Sequence, residues 1–255
     1  MENKPYIRIL PEADTAVLFI HGILGTPRHF TDGIPLLQSV PDNWSVYNVL
    51  LDGHGGSVDA FARSSMKKWR YQVWNVFQEL AHTHKHIIIV AHSMGTLFAT
   101  QLAVEHPELV KSLFLLGVPM RPGMRPSGVW RLIRMIFGYV REDSPLDTAT
   151  RDVCGVHTTR KIWKYIKWIP RFLELFHEIY ITEKCLPQLT VPAHAYQSQK
   201  DEQVMNWSAR VLRKSGSMEV TTLPNSTHYY YHPDDSQIIL NDFPAFVINF
   251  PTIDP

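Results

Sequence analysis

Residues 86–95 read His-Ile-Ile-Ile-Val-Ala-His-Ser-Met-Gly, and this stretch decides the fold. Residues 87–90 form an unbroken run of β-branched apolar side chains, the composition of a strand buried on both faces of a parallel sheet. The run ends in Ala91-His92-Ser93-Met94-Gly95. From Met94 the period changes. Leu97, Phe98 and Leu102, with the small Ala99 and Ala103, fall at three- and four-residue spacing, and Pro107 ends the helix. A serine on so tight a strand-to-helix turn needs small residues two positions to either side, where backbone approaches backbone, and Ala91 and Gly95 supply them. The turn lifts the Ser93 hydroxyl clear of the sheet and aims N–H groups of the helix start at an oxyanion forming there. A serine in this place also suits a plain helix N-cap. The strand before it and the helix after it favour the first reading.

Working outward, short β-rich runs recur at 16–20 (AVLFI), 45–50 (SVYNVL), 113–116 (LFLL), 191–196 (VPAHAY) and 219–223 (EVTTL). Helical texture lies between them, as in 66–84, where Trp69, Val73, Val76, Phe77 and Leu80 share one face. Strand alternating with helix implies right-handed βαβ units and an α/β fold with a mostly parallel sheet flanked by helices. The alternation stops at 120–187. That stretch is rich in Trp and Phe, lacks strand-like runs, and reads as helical on both sides of Pro170. It is expected to be a helical insertion lying over a site, with 1–119 and 188–255 forming the core. Residues 120–190 carry 12 Lys and Arg against 7 Asp and Glu, so the insertion is basic within a nearly neutral chain.

The chain has 255 residues, 45% hydrophobic and 19% charged, enough apolar material for one large domain and too much for disorder. Its net charge of +1 disfavours nucleic acid as a partner. Two cysteines, Cys154 and Cys185, make neither a disulfide framework nor, alone, a structural zinc site. Residues 1–15 lack the apolar core of a signal peptide, and no stretch has the ~18 apolar residues of a membrane span. A cytoplasmic protein is expected.

Two further loops follow strands. His21-Gly22-Ile23-Leu24-Gly25-Thr26-Pro27 turns sharply on its glycines and exposes N–H groups, which together with Met94 would complete an anion site. By itself it also reads as a glycine-rich loop without a ligand; it lacks the Gly-Lys-Ser/Thr ending of a phosphate-binding loop. Leu51-Asp52-Gly53-His54-Gly55-Gly56-Ser57 reads as a turn beside a site, with a metal role for Asp52 and His54 as the lesser alternative. His82, His84 and His86 read as a helix end and linker rather than a metal set.

HGILG, DGHGGS and AHSMG, each after a strand, together resemble the α/β-hydrolase superfamily, most of all its carboxylesterase and monoacylglycerol lipase branch. Ala91 departs from the glycine usual at that position. The resemblance covers nearly the whole chain and matches 120–187 to the family's variable helical cap. It implies a serine, an acid and a histidine in that chain order. Asp201 then fits the acid, in the loop after 191–196 and three residues before Val204, with Glu202 as rival. Ser198 stands where the family often has glycine. His228 fits the histidine, after Pro224-Asn225-Ser226-Thr227, with His232 as rival and a helix expected near Pro233.

The resemblance therefore implies a serine hydrolase acting on lipophilic short- to medium-chain esters or monoacylglycerols. Ser93, Asp201 and His228 would be catalytic, and Ile23 and Met94 would form the oxyanion hole with backbone N–H groups. No metal or organic cofactor is required. A thioesterase, a carbon–carbon bond hydrolase and a non-catalytic binding protein stand as alternatives. The expected partner is a small-molecule ester. Lys161, Lys164 and Lys167 with Trp163 and Trp168 suggest a weak contact with a membrane surface, and oligomeric state is left open.

Overall fold

The computed structural model describes residues 3–123 and 125–248. The outermost ends of the expected core, 1–2 and 249–255, and Met124 in the insertion lie outside the described residues.

Among the described residues, seven strands form one sheet: β1 Tyr6–Arg8, β2 Thr15–Ile20, β3 Ser45–Asn48, β4 His86–His92, β5 Val110–Leu116, β6 Ala193–Ser198 and β7 Met218–Leu223. Their order is β1-β3-β2-β4-β5-β6-β7, and every adjacent pair is parallel except β1 with β3. The order reverses at β2, with β3 on one side and β4 on the other. The crevice outside the carboxyl ends of β2 and β4 is therefore a topological switch point, where open α/β sheets bind ligands.

The continuous apolar runs have a direct cause. Successive side chains of a strand point to opposite faces, and both faces of this sheet are covered. Ala16, Leu18, Ile20, Ile87, Ile89 and Ala91 enter one core; Val17, Phe19, Ile88 and Val90 enter the other.

Among the described residues are eight α-helices: α1 Val58–Arg63, α2 Met66–Thr83, α3 Met94–Glu105, α4 Pro126–Ile136, α5 Pro145–Val153, α6 Ile169–Cys185, α7 Trp207–Leu212 and α8 Pro233–Ile248. Their starts follow capping chemistry. Ser57, Ser65 and Ser144 accept hydrogen bonds from Ala60, Lys68 and Asp147 N–H. In α2, Met66, Trp69, Val73, Phe77 and Leu80 form the buried face. Residues 94–103 of α3 are all buried, because the helix lies between the sheet and α6.

The segment 120–187 holds α4, α5, a 3₁₀ turn at Ile162–Trp168 and α6. The chain is helical on both sides of Pro170, as expected from sequence, with the 3₁₀ turn before it and α6 after. The proline sits in the first turn of α6, where its missing N–H costs nothing and its fixed φ suits a helix start. The segment is tied to the core loops: Gly155 N–H donates to Leu24 O at 2.8 Å, and Thr26 Oγ1 to Val153 O at 3.3 Å.

Candidate active site

Three loops from the carboxyl edge of the sheet converge. Ser93, between β4 and α3, has φ 50° and ψ −124°, a left-handed conformation that costs a non-glycine residue about 1–3 kcal/mol. Its surroundings enforce the strain. Ser93 N–H donates to Leu116 O at 2.8 Å, and Ser93 O accepts from Thr96 N–H and Oγ1 at 2.9 and 2.6 Å. Gly95 lies against the carbonyls of Ile20 and His21 so closely that a Cβ there has no room. A Cβ on Gly22 would stand 2.7 Å from that of Ser93. These are the close backbone approaches expected of the AHSMG turn.

His228 Nε2 lies 3.1 Å from Ser93 Oγ, and His228 Nδ1 lies 2.8 Å from Asp201 Oδ2. All three residues are buried. Asp201 Oδ1 accepts the N–H groups of Gln203 and Val204 at 2.7 and 2.8 Å, which fixes the carboxylate facing the ring. Burial alone would depress the His228 pKa. The adjacent Asp201 charge and hydrogen bond, joined by Glu202, outweigh burial and raise it above the ordinary imidazole value.

The two rivals are elsewhere. Glu202 does not face the imidazole: it accepts the backbone N–H of His228 at 3.4 Å and pairs with Arg131 of α4. His232 is partly exposed, 3.5 Å from Asp234.

The first loop carries the backbone donors expected from sequence to face an anion. Leu24 has φ 60°, and its N–H donates to His54 Nε2 at 3.1 Å. Gly25 N–H donates to Gly22 O at 3.1 Å. With those donors engaged, the N–H groups of Ile23 and Met94 have no acceptor among the described residues. His54 is thus neither a metal ligand nor a mere turn residue. It fixes the loop that presents Ile23, and this signal was hidden because its partner is 30 residues away. Asp52 pairs instead with Lys68 at 2.7 Å. His84 bonds Ser45 Oγ at 2.7 Å, and no cluster suited to a metal is found among the described residues.

Five imidazoles crowd this region. Burial pulls His21 down to about 4 and His29 to about 3, and it pulls His54 and His92 well below 6.5. His29 stacks on His92 at 3.7 Å between centroids, and His92 Nε2 lies 3.1 Å from His228 O. His92 also packs on His228, at 4.7 Å between centroids, and His228 is the one of the five whose pKa is raised.

Sequence reading also missed Tyr229 and Arg131. Tyr229 packs edge-on against His228 at 4.8 Å between centroids. Both line a cavity of about 80 Å³ with Ile23, Leu24, Met135 and Phe172. The Tyr229-Tyr230-Tyr231 run was the available signal for the first; the second carries none, because its position depends on how α4 docks.

A sequence model of the alpha/beta hydrolase fold matches residues 15–215. The Arabidopsis thaliana protein named Probable lysophospholipase BODYGUARD 3 is 34% identical over 119 residues, 44% of this chain and 24% of its own length. A probable alcohol acetyltransferase of Cyberlindnera fabianii is 28% identical over 115 residues, 45% of this chain and 29% of its own. The chain thus spans about a quarter of the length of the curated relatives it matches. Among solved structures, one from the metagenome-derived lipolytic enzymes LipS and LipT has a TM-score of 0.72 at 20% identity, covering 97% of this chain and 98% of that one. The monoacylglycerol lipase of Paleococcus ferrophilus has a TM-score of 0.66 at 13% identity, covering 95% and 99%. Likeness at such identities is likeness of fold. The sequence match runs from the first strand of the parallel ladder to the loop before the last, and the chain belongs to the alpha/beta hydrolase fold family.

Proposed function

We propose that this chain is a serine hydrolase that cleaves carboxylic esters of lipophilic acyl groups through an acyl-enzyme. One observation carries the reading: the row Ser93 Oγ, His228, Asp201, with 3.1 and 2.8 Å links, set on a strained turn beside unengaged N–H groups. In this reading His228 Nε2 takes the Ser93 proton as Oγ attacks the ester carbonyl, then delivers it to the leaving alcohol. Asp201 fixes the proton on Nδ1 and stabilises the imidazolium. The N–H groups of Ile23 and Met94 hold the tetrahedral oxyanion, each worth about 2.7–4 kcal/mol of barrier. Water then attacks the acyl-enzyme by the same proton route in reverse.

The preference for lipophilic acyl groups rests on the cavity walls, where Leu24, Leu132, Met135 and Phe172 meet Ile23. The segment 120–187 acts as a cap over it, its Met135 and Phe172 forming that wall. The names of the matched lysophospholipase and lipase relatives agree with an ester substrate. The free thiols of Cys154 and Cys185 agree with a cytoplasmic setting.

The test is a panel of p-nitrophenyl esters and acyl thioesters assayed with wild type and Ser93→Ala. Ester turnover that rises with chain length and vanishes in Ser93→Ala is expected. Turnover of thioesters alone would reassign the leaving group. No turnover of any member would leave a binding protein.

A further inference from the structure

Helix α6 and the 3₁₀ turn before it are apolar on two opposite sides. The inner side packs Leu175 and Ile179 into the core. On the outer side of α6 stand Ile169, Leu173, Phe176 and Tyr180, spaced four, three and four residues apart, and Ile162 and Ile166 of the 3₁₀ turn are exposed ahead of them, all six 52–65% exposed. Trp163 is exposed beside them. The α-helical part of this stripe, from Ile169 to Tyr180, spans about 16 Å at helical rise, beyond a scatter of single exposed residues.

The charges along the stripe have one sign. Lys161 and Lys167 are exposed at one end, and Lys184 at the other sits 4.3 Å over the Tyr180 ring. The carboxylates of 161–184 are all engaged, Glu183 by Arg121 at 2.7 Å. Glu174 is engaged by Arg171, and Glu178 is buried against Arg70 and Gln101. Two of the residues expected from sequence to touch a membrane are corrected here. Trp168 is buried, its Nε1–H donating to Val58 O at 3.0 Å, and Lys164 is paired with Asp59.

We infer that this face seats the protein on an anionic lipid surface, with the stripe immersed in the plane of the interface and the lysines among the headgroups. No helix of the described residues is long and apolar enough to cross a membrane, so the contact is in-plane. A second copy is a poorer occupant: an antiparallel pairing of two such stripes brings Lys161 and Lys167 of one copy toward Lys184 of the other. The face also has a place relative to the cavity. Phe172 lines the cavity, and Leu173, the next residue, stands on the outer stripe. The inference does not rest on the hydrolase reading.

Flotation of the full chain with vesicles of phosphatidylcholine, with or without phosphatidylglycerol, tests it. Wild type is expected to float with the anionic vesicles. The Lys161→Gln/Lys167→Gln variant lowers that partitioning about thirtyfold. Ile166→Ser/Leu173→Ser lowers it at least about tenfold. Both variants should retain wild-type turnover of a water-soluble ester, which separates a failure of the lipid face from a failure of the hydrolase reading. If the serine variant does not fold, the lysine variant still decides. Wild type failing to float, floating equally with both vesicles, or forming a dimer that Ile166→Ser/Leu173→Ser dissociates would each overturn the inference.

Discussion

Leu24 and His54 hold each other across two loops: the Leu24 N–H donates to His54 Nε2 at 3.1 Å while Leu24 is kept at φ 60°. The bond engages the Leu24 donor, while the Ile23 N–H has no acceptor among the described residues. His54 accepts at Nε2 only when neutral, and burial, followed by the nearby His21, keeps it so.

His54→Phe should lower kcat by about 10²–10³-fold, the effect of losing one oxyanion donor, because the loop then lacks its anchor. KM should change little. The unpaired Leu24 N–H should also cost about 1–3 kcal/mol of stability. Steady-state kinetics with thermal unfolding checks both. An unchanged kcat with a lowered Tm would mean that His54 serves packing alone.

Asp201→Asn should lower kcat about 10⁴-fold, since an amide facing Nδ1 no longer selects the productive tautomer. The pH profile should move as well. His228 is raised because Asp201 and Glu202 outweigh burial. Activity needs the neutral ring, so the acidic limb of wild-type kcat/KM should lie above pH 6.5. Removing the Asp201 charge leaves burial dominant, and the limb should shift to lower pH.

Arg131 and Glu202 form an ion pair whose side chains are 11% and 5% exposed. Arg131→Met should destabilise the fold by about 3–5 kcal/mol, because Glu202 is left buried and uncompensated. Arg131→Met/Glu202→Gln should recover most of that loss. Denaturant unfolding of the two single variants and the double variant measures the coupling.

Acid should weaken the fold early. His21 and His29 have folded pKa values of about 4 and 3, and His54 and His92 are also lowered from 6.5. Between the folded and unfolded values such a ring is neutral in the fold and protonated in the unfolded chain. Its stabilising contribution is whole above pH 6.5 and is lost as pH falls toward 4. Each ring contributes a slope on the order of 1.4 kcal/mol per pH unit. His86 and His194 are lowered too, and His228, which is raised, acts in the opposite sense, one ring against six. Denaturant midpoints measured from pH 7 to pH 5 should fall steeply. A flat profile would show that these rings are protonated in the fold.

Much of this was legible because it is local. The 87–90 run, the change of period at Met94 and the glycine loops after β2 and β3 are chain-neighbour features, and the strands fall within a few residues of expectation. β1 was missed: three half-exposed residues, Tyr6–Arg8, carry no periodic signal and exist by pairing with β3. Asp201 and His228 were locatable through family resemblance, whereas composition alone left Glu202 and His232 open. The contacts of His54 with Leu24, Arg131 with Glu202 and Tyr229 with His228 arise when distant segments dock, and sequence spacing does not encode them. Pro170 was legible as a boundary because proline cannot continue a helix interior but suits a first turn, and the 3₁₀ segment gives way to α6 there.

The most direct measurement is intact-mass analysis, with peptide mapping, after exposure to a fluorophosphonate. If Ser93 Oγ is the nucleophile activated by His228, wild type gains one adduct, mapped to Ser93, and Ser93→Ala gains none. An unlabelled wild-type protein, or an adduct of equal yield in Ser93→Ala, would contradict it.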